Sequence, residues 1–172
     1  MKDTKDYYNI ETAKNPNTFP DILRKILEKG EDKYISCCAA RNPNCPQDLL
    51  RKILEKRNDD ISCFAARNPN CPQDSLSMVL KKGNDDYVSW NAASNPSCPQ
   101  DLLRMILERE KNDKVSYFAS KNPNCPSDVT IKWMRDTGQI GKEDPKKHII
   151  EYIDNEEKID EDLEILKKMV NY

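Results

Sequence analysis

Four cysteines recur at one position of a repeating five-residue motif, which makes thiols the first candidates for chemistry in this chain. The motif Asn-Pro-Asn-Cys-Pro occupies residues 42–46, 68–72 and 122–126, and residues 95–99 carry it with Ser97 as the third residue. Its cysteines are Cys45, Cys71, Cys98 and Cys125. As helix N-caps, these thiols would have lowered pKa values and be reactive. The alternative is that they are small, half-buried caps.

These cysteines are too far apart to be cross-linked. Equivalent helices in stacked units lie ~8–10 Å apart. A disulfide needs Cα atoms within ~7 Å, and a zinc–sulfur bond is ~2.3 Å long. Cys37, Cys38 and Cys63 add no Cys-x-x-Cys pair. The sequence therefore predicts neither a metal ion nor a cofactor.

Acid–base catalysis lacks a candidate site. His148 is the only histidine, and it stands beside Lys146 and Lys147 with no partner for a dyad. The carboxylates fall mostly in polar turns, whereas general acid–base catalysis needs buried groups in contrasting environments. Four glycines in the whole chain argue against a phosphate-binding loop. We therefore predict that the protein is not an enzyme.

Two columns of side chains on a predicted short helix are candidates for binding. One consists of Cys37, Cys63, Trp90 and Tyr117, and the other of Lys14, Arg41, Arg67, Ser94 and Lys121. Aromatic residues beside arginine are typical of protein interfaces and of single-stranded nucleic-acid binding. Two structural alternatives stay open. Cations favour a helix C-terminus, and the aromatic rings could pack on the next repeat.

The central repeats depart from the pattern of the others. Met78 and Met105 stand where Lys25, Lys52 and Lys132 occur in other units. The predicted binding residues are Trp90, Tyr117, Asn91, Met78, Met105, Arg41, Arg67 and Lys121.

A regular repeat must position these residues. The leading asparagines of the motif, with a degenerate copy at 15–19, lie at 15, 42, 68, 95 and 122, which gives spacings of 27, 26, 27 and 27 residues. Such a period is typical of a solenoid. A residue before proline is extended, so the motif should end one helix and start the next with its cysteine as N-cap.

Each unit is predicted to hold two helical parts. The first carries one apolar stripe, as in Leu49, Leu50, Ile53 and Leu54. A polar turn follows, and then a short segment such as 61–67 that could be α or 3₁₀. We expect residues 61, 64 and 65 to be buried, and the small residues at 62 and 66 to allow close approach between units. The prediction is an all-α solenoid with an N-terminal cap or partial repeat at 1–14, five two-helix repeats of ~27 residues at 15–137, and a C-terminal helical cap at 138–172.

On these features the chain resembles the leucine-rich repeat variant family. The resemblance rests on the Asn-Pro-Asn-Cys-Pro turn, the Leu-Leu-x-x-Ile-Leu helix, and the short segment that ends in Ala-Ala-Arg, and it covers about residues 8–137. It implies a right-handed superhelix of alternating α- and 3₁₀-helices. Units a few residues longer than is usual in that family point instead to a full α-helix, closer to a HEAT-type array. The family's usual arginine is replaced by Ser36, Ser62, Ser89 and Ser116, which weakens an anion-binding interpretation.

The composition restricts the classes of partner that the protein could bind but does not identify one. The chain has 172 residues, a net charge of −2 and 34% charged residues. No apolar run is long enough to span a membrane, and seven cysteines without a signal peptide favour the cytoplasm. We expect a protein partner, with the chain acting as an adaptor or stoichiometric inhibitor, for example of a bacterial or phage-targeted complex such as a defence system. The alternative is nucleic-acid or nucleoprotein binding through the basic column and exposed aromatics.

Overall fold

The structure is a computed structural model that describes residues 8–56 and 60–139. Every regular element in those residues is an α-helix. The ten helices are α1 (Ile10–Lys14), α2 (Pro20–Lys29), α3 (Lys33–Arg41), α4 (Gln47–Lys56), α5 (Asp60–Arg67), α6 (Gln73–Lys81), α7 (Tyr87–Ser94), α8 (Gln100–Leu107), α9 (Lys114–Lys121) and α10 (Ser127–Asp136). The predicted all-α class is confirmed for this part of the chain.

The helices form two rows. The short-helix row consists of α1, α3, α5, α7 and α9, each of which packs on the next. The long-helix row consists of α2, α4, α6, α8 and α10, and α2, α4, α6 and α8 each pack on the next short helix in the sequence. A repeat unit is counted from its leading asparagine, so unit 3 holds α6 and α7 and unit 4 holds α8 and α9. The short segments are α-helical over eight or nine residues, which decides between the α and 3₁₀ alternatives.

Small side chains allow the short helices to pack closely. The buried face of α5 consists of Ser62, Ala65 and Ala66, while Ile61 and Phe64 are only half-buried. The prediction that 61, 64 and 65 share the buried face was therefore correct for Ala65 alone. On α5, serine and alanine therefore form the face that approaches the neighbouring helices, and the larger Ile61 and Phe64 lie at its margins.

The first asparagine of the motif joins consecutive units. Asn68 is buried, and its Nδ2 donates to the carbonyl oxygens of Ala40 at 2.6 Å and Asn42 at 2.8 Å. Its Oδ1 accepts from the backbone N–H of Asn70. The same three bonds recur at Asn42, Asn95 and Asn122. We call these four residues the asparagine ladder. Buried carbonyls need donors, and the ladder supplies them.

Helix capping differs from the prediction. Pro72, Pro99 and Pro126 are the N-caps of α6, α8 and α10, with extended backbones whose ψ angles are 137°, 137° and 132°. The prediction that the cysteine is the cap was wrong by one residue. The proline carbonyl can still accept the first helical hydrogen bond, since proline lacks only the N–H. In the polar turns, Asp32, Asp86 and Asp113 cap the short helices through their carboxylates.

The chain divides into two parts after Thr137. In the first, α1 begins at the N-cap Asn9 and buries Ala13. The predicted C-terminal cap, including His148, lies outside the described residues except for Gly138 and Gln139. Among the described helices, none is long and apolar enough to cross a membrane.

Candidate functional site: an aromatic cluster on the short-helix row

The motif cysteines lie in the core. Cys45, Cys71 and Cys98 are buried, and loss of solvation raises the pKa of each thiol to about 12. Burial also raises the pKa of the half-buried Cys125. These thiols stay protonated at neutral pH, so the hypothesis of reactive, low-pKa caps was wrong. In the described part of the chain, no three histidine, cysteine or acidic side chains are grouped to hold a metal ion.

An aromatic cluster lies on α7 and α9. It consists of Tyr87, Trp90, Tyr117 and Phe118. The ring centroids of Tyr87 and Trp90 are 4.4 Å apart, those of Trp90 and Phe118 are 6.1 Å apart, and those of Tyr117 and Phe118 are 5.7 Å apart. The cluster therefore runs continuously from unit 3 to unit 4.

Polar contacts hold the Trp90 indole in place. Its Nε1–H donates to Asp85 Oδ1 at 2.6 Å, and the same oxygen accepts from the backbone N–H of Val115 at 3.2 Å. The ammonium nitrogen of Lys114 lies 4.4 Å from the Trp90 ring centroid. Indole is the aromatic ring that binds a cation best. Trp90 is thus fixed by contacts from its own unit and from the next one.

The two predicted aromatic residues are less exposed than expected. Trp90 and Tyr117 are both half-buried and pack against the core. Trp90 stacks on Phe118 of the next unit with an interplanar angle of 25°, so the packing alternative is correct for this ring. The main role of Trp90 is therefore to pack beneath the surface, and only part of its ring is exposed.

Tyr87, which the sequence analysis missed, is the most exposed member of the cluster. Its exposed fraction is 60%, and it is the first residue of α7. The equivalent positions, eight residues before the leading asparagines of the motif, hold Tyr34 in α3, Asp60 in α5 and Lys114 in α9. The exposure of Tyr87, rather than its departure from the other repeats, points to a surface role.

Asn91, Met78 and Met105 do not line the exposed part of the cluster. Asn91 is buried, and its side-chain amide donates to the Tyr87 carbonyl at 2.8 Å. Met78 and Met105 are half-buried against the core on α6 and α8. A partner that docks on Tyr87 would not contact the buried Asn91 side chain. Asn91 contributes only by stabilising the helix that carries Tyr87.

The basic column lies at the opposite end of the short helices. Arg41, Arg67 and Lys121 are the last residues of α3, α5 and α9, whereas Tyr87 and Lys114 are the first residues of α7 and α9. Arg41 is exposed, while Arg67 and Lys121 are half-buried. The ammonium of Lys121 lies 5.8 Å from the Tyr117 ring centroid. These positions agree with the electrostatic preference for cations at helix C-termini.

A second row of charges joins the long helices. Arg24 binds Asp48 in bidentate geometry with both distances at 2.8 Å, Arg51 binds Asp74 at 2.7 Å, and Arg104 lies 3.8 Å from Asp128. The hydrogen bond from Arg24 lowers the pKa of Asp48. The equivalent step between units 3 and 4 has Ser77 in the arginine position, opposite Asp101.

Comparison with known proteins identifies no relative. No family model, curated protein or solved structure matches the chain. The function is therefore inferred from the aromatic cluster itself.

Proposed function

We propose that the protein is a non-enzymatic protein-binding module that docks its partner on the aromatic cluster of units 3 and 4. The observation that carries the proposal is Tyr87, a largely exposed ring held 4.4 Å from an indole that is itself fixed at its nitrogen and on its face. Tyrosine and tryptophan are the residues most enriched in interface hot spots.

The rigidity of this surface favours binding. Ordering a flexible side chain at an interface costs ~0.5–1.5 kcal/mol. The Trp90 ring is already ordered by Asp85 and Lys114, and Tyr87 rests against it. A partner that covers Tyr87 would therefore lose little entropy on this side of the interface.

The proposed architecture is a capped solenoid of five two-helix repeats, similar to the leucine-rich repeat variant family. Two features support it: each short helix packs on the next, and the asparagine ladder repeats one set of bonds from unit to unit. Because serine and alanine bring the short helices close together, the short-helix row would form the concave side. Extended concave surfaces are the usual binding surfaces of solenoids.

The proposed cellular role is that of a cytoplasmic adaptor or stoichiometric inhibitor. All seven cysteines are present as thiols, which suits a reducing compartment. A bacterial or phage-targeted complex, such as a defence system, is the kind of partner that we propose.

Nucleic-acid binding has weaker support. The basic column is interrupted at Ser94, whose hydroxyl donates to the Trp90 carbonyl. Two of its lysines, Lys14 and Lys121, lie over the Tyr34 and Tyr117 rings at 5.3 and 5.8 Å. Phosphate binding adds ~0.9 to the salt slope for each contact, and this column offers few contacts.

The test is affinity capture from native cells with wild-type protein and two single variants. Tyr87→Ala should abolish partner capture, because it removes the exposed anchor while leaving Trp90 in place. Phe19→Ala is the matched control, since Phe19 is also an exposed ring, with an exposed fraction of 73%, but lies in unit 1. The control should capture the partner as the wild type does.

A third variant, with Arg41→Glu and Arg67→Glu, tests the alternative. We expect it to retain the partner. If this charge reversal abolishes capture while Tyr87→Ala does not, and nucleic acid is recovered, the protein-interface proposal is wrong.

A further inference from the structure

The C-terminal end of α6 and the turns that follow α6 and α8 carry cations without partners of their own. Lys81, Lys82, Arg109 and Lys111 are all exposed. Within residues 8–56 and 60–139, none of their side chains makes an ion pair or a hydrogen bond. In the corresponding turn of unit 1, by contrast, Lys29 lies 3.9 Å from Glu31, and the neighbouring Lys33 lies 2.6 Å from Asp60.

These turns lie beside the aromatic cluster. A guanidinium nitrogen of Arg109 in unit 4 is 3.7 Å from the position that a Cβ would occupy on Gly83 in unit 3. Asp85 and Tyr87 come within four residues after Gly83, and Asp85 accepts from Trp90. We call this region, formed by residues 81–87 and 109–114, the turn edge.

The carboxylates of the turn edge and its flanks are already engaged. Asp85 accepts from Trp90 and Val115, and Asp86 and Asp113 cap α7 and α9. Glu108 and Glu110 lie 3.9 and 3.5 Å from Arg104 and Lys132. Each carboxylate of this edge therefore has at least one partner, whereas the side chains of Lys81, Lys82, Arg109 and Lys111, next to an exposed tyrosine, have none among the described residues.

We infer that the turn edge binds an acidic segment of the partner protein, with an apolar or aromatic side chain of that segment packed on Tyr87. This inference rests on the proposed function and adds the chemical class of the bound segment. Aspartate and glutamate side chains would pair with Lys81, Lys82, Arg109 and Lys111. Complementary charge increases the association rate and selects against wrong partners.

The charge distribution favours an acidic peptide over a nucleic-acid strand. Five cations (Lys81, Lys82, Arg109, Lys111 and Lys114) share the turn edge with four carboxylates (Asp85, Asp86, Glu110 and Asp113), and Glu108 flanks it. A strand with a charge on every phosphate would meet both signs. A peptide can place its few carboxylates opposite the cations and neutral residues opposite Asp85 and Glu110.

The experiment is selection of random short peptides displayed on phage against the immobilised full-length protein. Peptides selected by the wild type should carry aspartate or glutamate around an aromatic or aliphatic residue. Their affinity should fall about tenfold or more, or about 1.4 kcal/mol, in a variant with Lys82→Glu and Arg109→Glu. Since both residues are exposed, this variant should keep the wild-type helical spectrum.

The matched control carries Lys29→Glu and Lys33→Glu, which reverses two charges at the turn of unit 1. It should bind the selected peptides as the wild type does. The inference is overturned if no peptide is selected, if the selected peptides have no excess of acidic residues, if the turn-edge reversal leaves their affinity unchanged, or if oligothymidylate binds the turn edge more tightly than they do.

Partner capture separates the two proposals. If the partner is lost from Tyr87→Ala but kept by the turn-edge reversal, the protein-binding function stands and the acidic-segment inference is wrong. Loss from both variants, with retention by both matched controls, supports both proposals.

Discussion

The junction between units 2 and 3 and the junction between units 3 and 4 share the bonds of the asparagine ladder but have different surfaces. At the first, Arg51 binds Asp74 across the long-helix row. At the second, Ser77 stands in the arginine position, and the connection lies on the short-helix row instead, where Asp85 accepts from Trp90 and Val115. At both, a buried asparagine donates to two carbonyls at the C-terminal end of the short helix one repeat earlier.

This contrast separates what holds the units together from what distinguishes them. Buried amide–carbonyl bonds are expensive to lose, so the asparagine ladder tolerates little variation. Exposed ion pairs contribute only ~0–1 kcal/mol, so a surface junction can change at small cost. The surface of units 3 and 4 departs from the others whereas the asparagine ladder does not, which is the pattern expected of a binding surface on a repeated scaffold.

The largest expected effect is the loss of a ladder asparagine. Asn68→Ala and Asn95→Ala should each cost about 3 kcal/mol or more of unfolding free energy, because two buried carbonyls and one turn N–H lose their partners. The costs should be equal at the two junctions. Urea denaturation followed by circular dichroism measures both.

The control is Asn124→Ser, which copies the natural Ser97. Asn124 donates to the Pro96 carbonyl, and Ser97 donates to the Pro69 carbonyl at 2.8 Å. Since Asn124 is an exposed turn residue, this change should cost less than ~0.5 kcal/mol. If Asn124→Ser cost as much unfolding free energy as Asn95→Ala, burial would not explain why the ladder asparagines stabilise the fold.

The helices were largely predictable from the sequence, whereas the ladder was not. Apolar residues such as Leu49, Leu50 and Leu54 recur at helical spacing, and the helix that carries them lies where they indicate. The motif repeat showed that Asn42 and Asn68 matter, but local rules explain an asparagine before proline only as extended backbone. Its true partners lie 26 to 29 residues away in sequence, and local rules do not reach that distance.

Trp90→Ala should have the next largest effect. A fully buried tryptophan costs ~3–5 kcal/mol on truncation. Trp90 is half-buried, so we expect about 2 kcal/mol, all of it at the junction of units 3 and 4. Tyr87→Ala removes an exposed ring and should cost less than ~0.5 kcal/mol. Thermal unfolding of the two variants measures this difference. Equal costs would mean that Trp90 does not hold the junction.

The aromatic cluster shows where prediction from the sequence stops. Spacing placed Trp90 and Tyr117 in one column, and they do lie in one cluster. The spacing could not show that Asp85 and Lys114 hold the indole half-buried. The Asp85 contact depends on the conformation of the turn before α7, and the Lys114 contact depends on how the next unit packs. Tyr87 was missed for a related reason: its ring is placed by Trp90 rather than by the apolar stripe of its helix.

The buried thiols predict equal alkaline sensitivity at the two junctions. Burial raises the pKa of Cys71 and Cys98 from 9.0 to about 12. Between these values the unfolded chain releases a proton that the folded chain keeps. The stabilisation is therefore complete below pH 9 and decreases as the pH rises, by about 1.4 kcal/mol per pH unit for each thiol.

Single variants measure the share of each thiol. Cys71→Ala and Cys98→Ala should each reduce the pH dependence of the unfolding free energy above pH 9 by one thiol's contribution, and by the same amount. A variant whose pH dependence equals that of the wild type would show that its thiol is more solvated than the structure indicates.

The smallest expected effect comes from giving the junction of units 3 and 4 the ion pair that the junction of units 2 and 3 already has on the long-helix row. Ser77→Arg should place a guanidinium opposite Asp101, as Arg51 stands opposite Asp74. Because the pair would be exposed, the gain should be about 0.5 kcal/mol and should decrease with added salt. Asp101→Asn in the same chain should cancel it, and Arg51→Ser should cause a loss of similar size at the other junction. A gain that survives Asp101→Asn would come from helix propensity rather than from the ion pair.

If Ser77→Arg stabilises the chain but leaves partner capture intact, the absence of arginine at this step is neutral for binding. The specialisation of units 3 and 4 would then lie on the short-helix row alone.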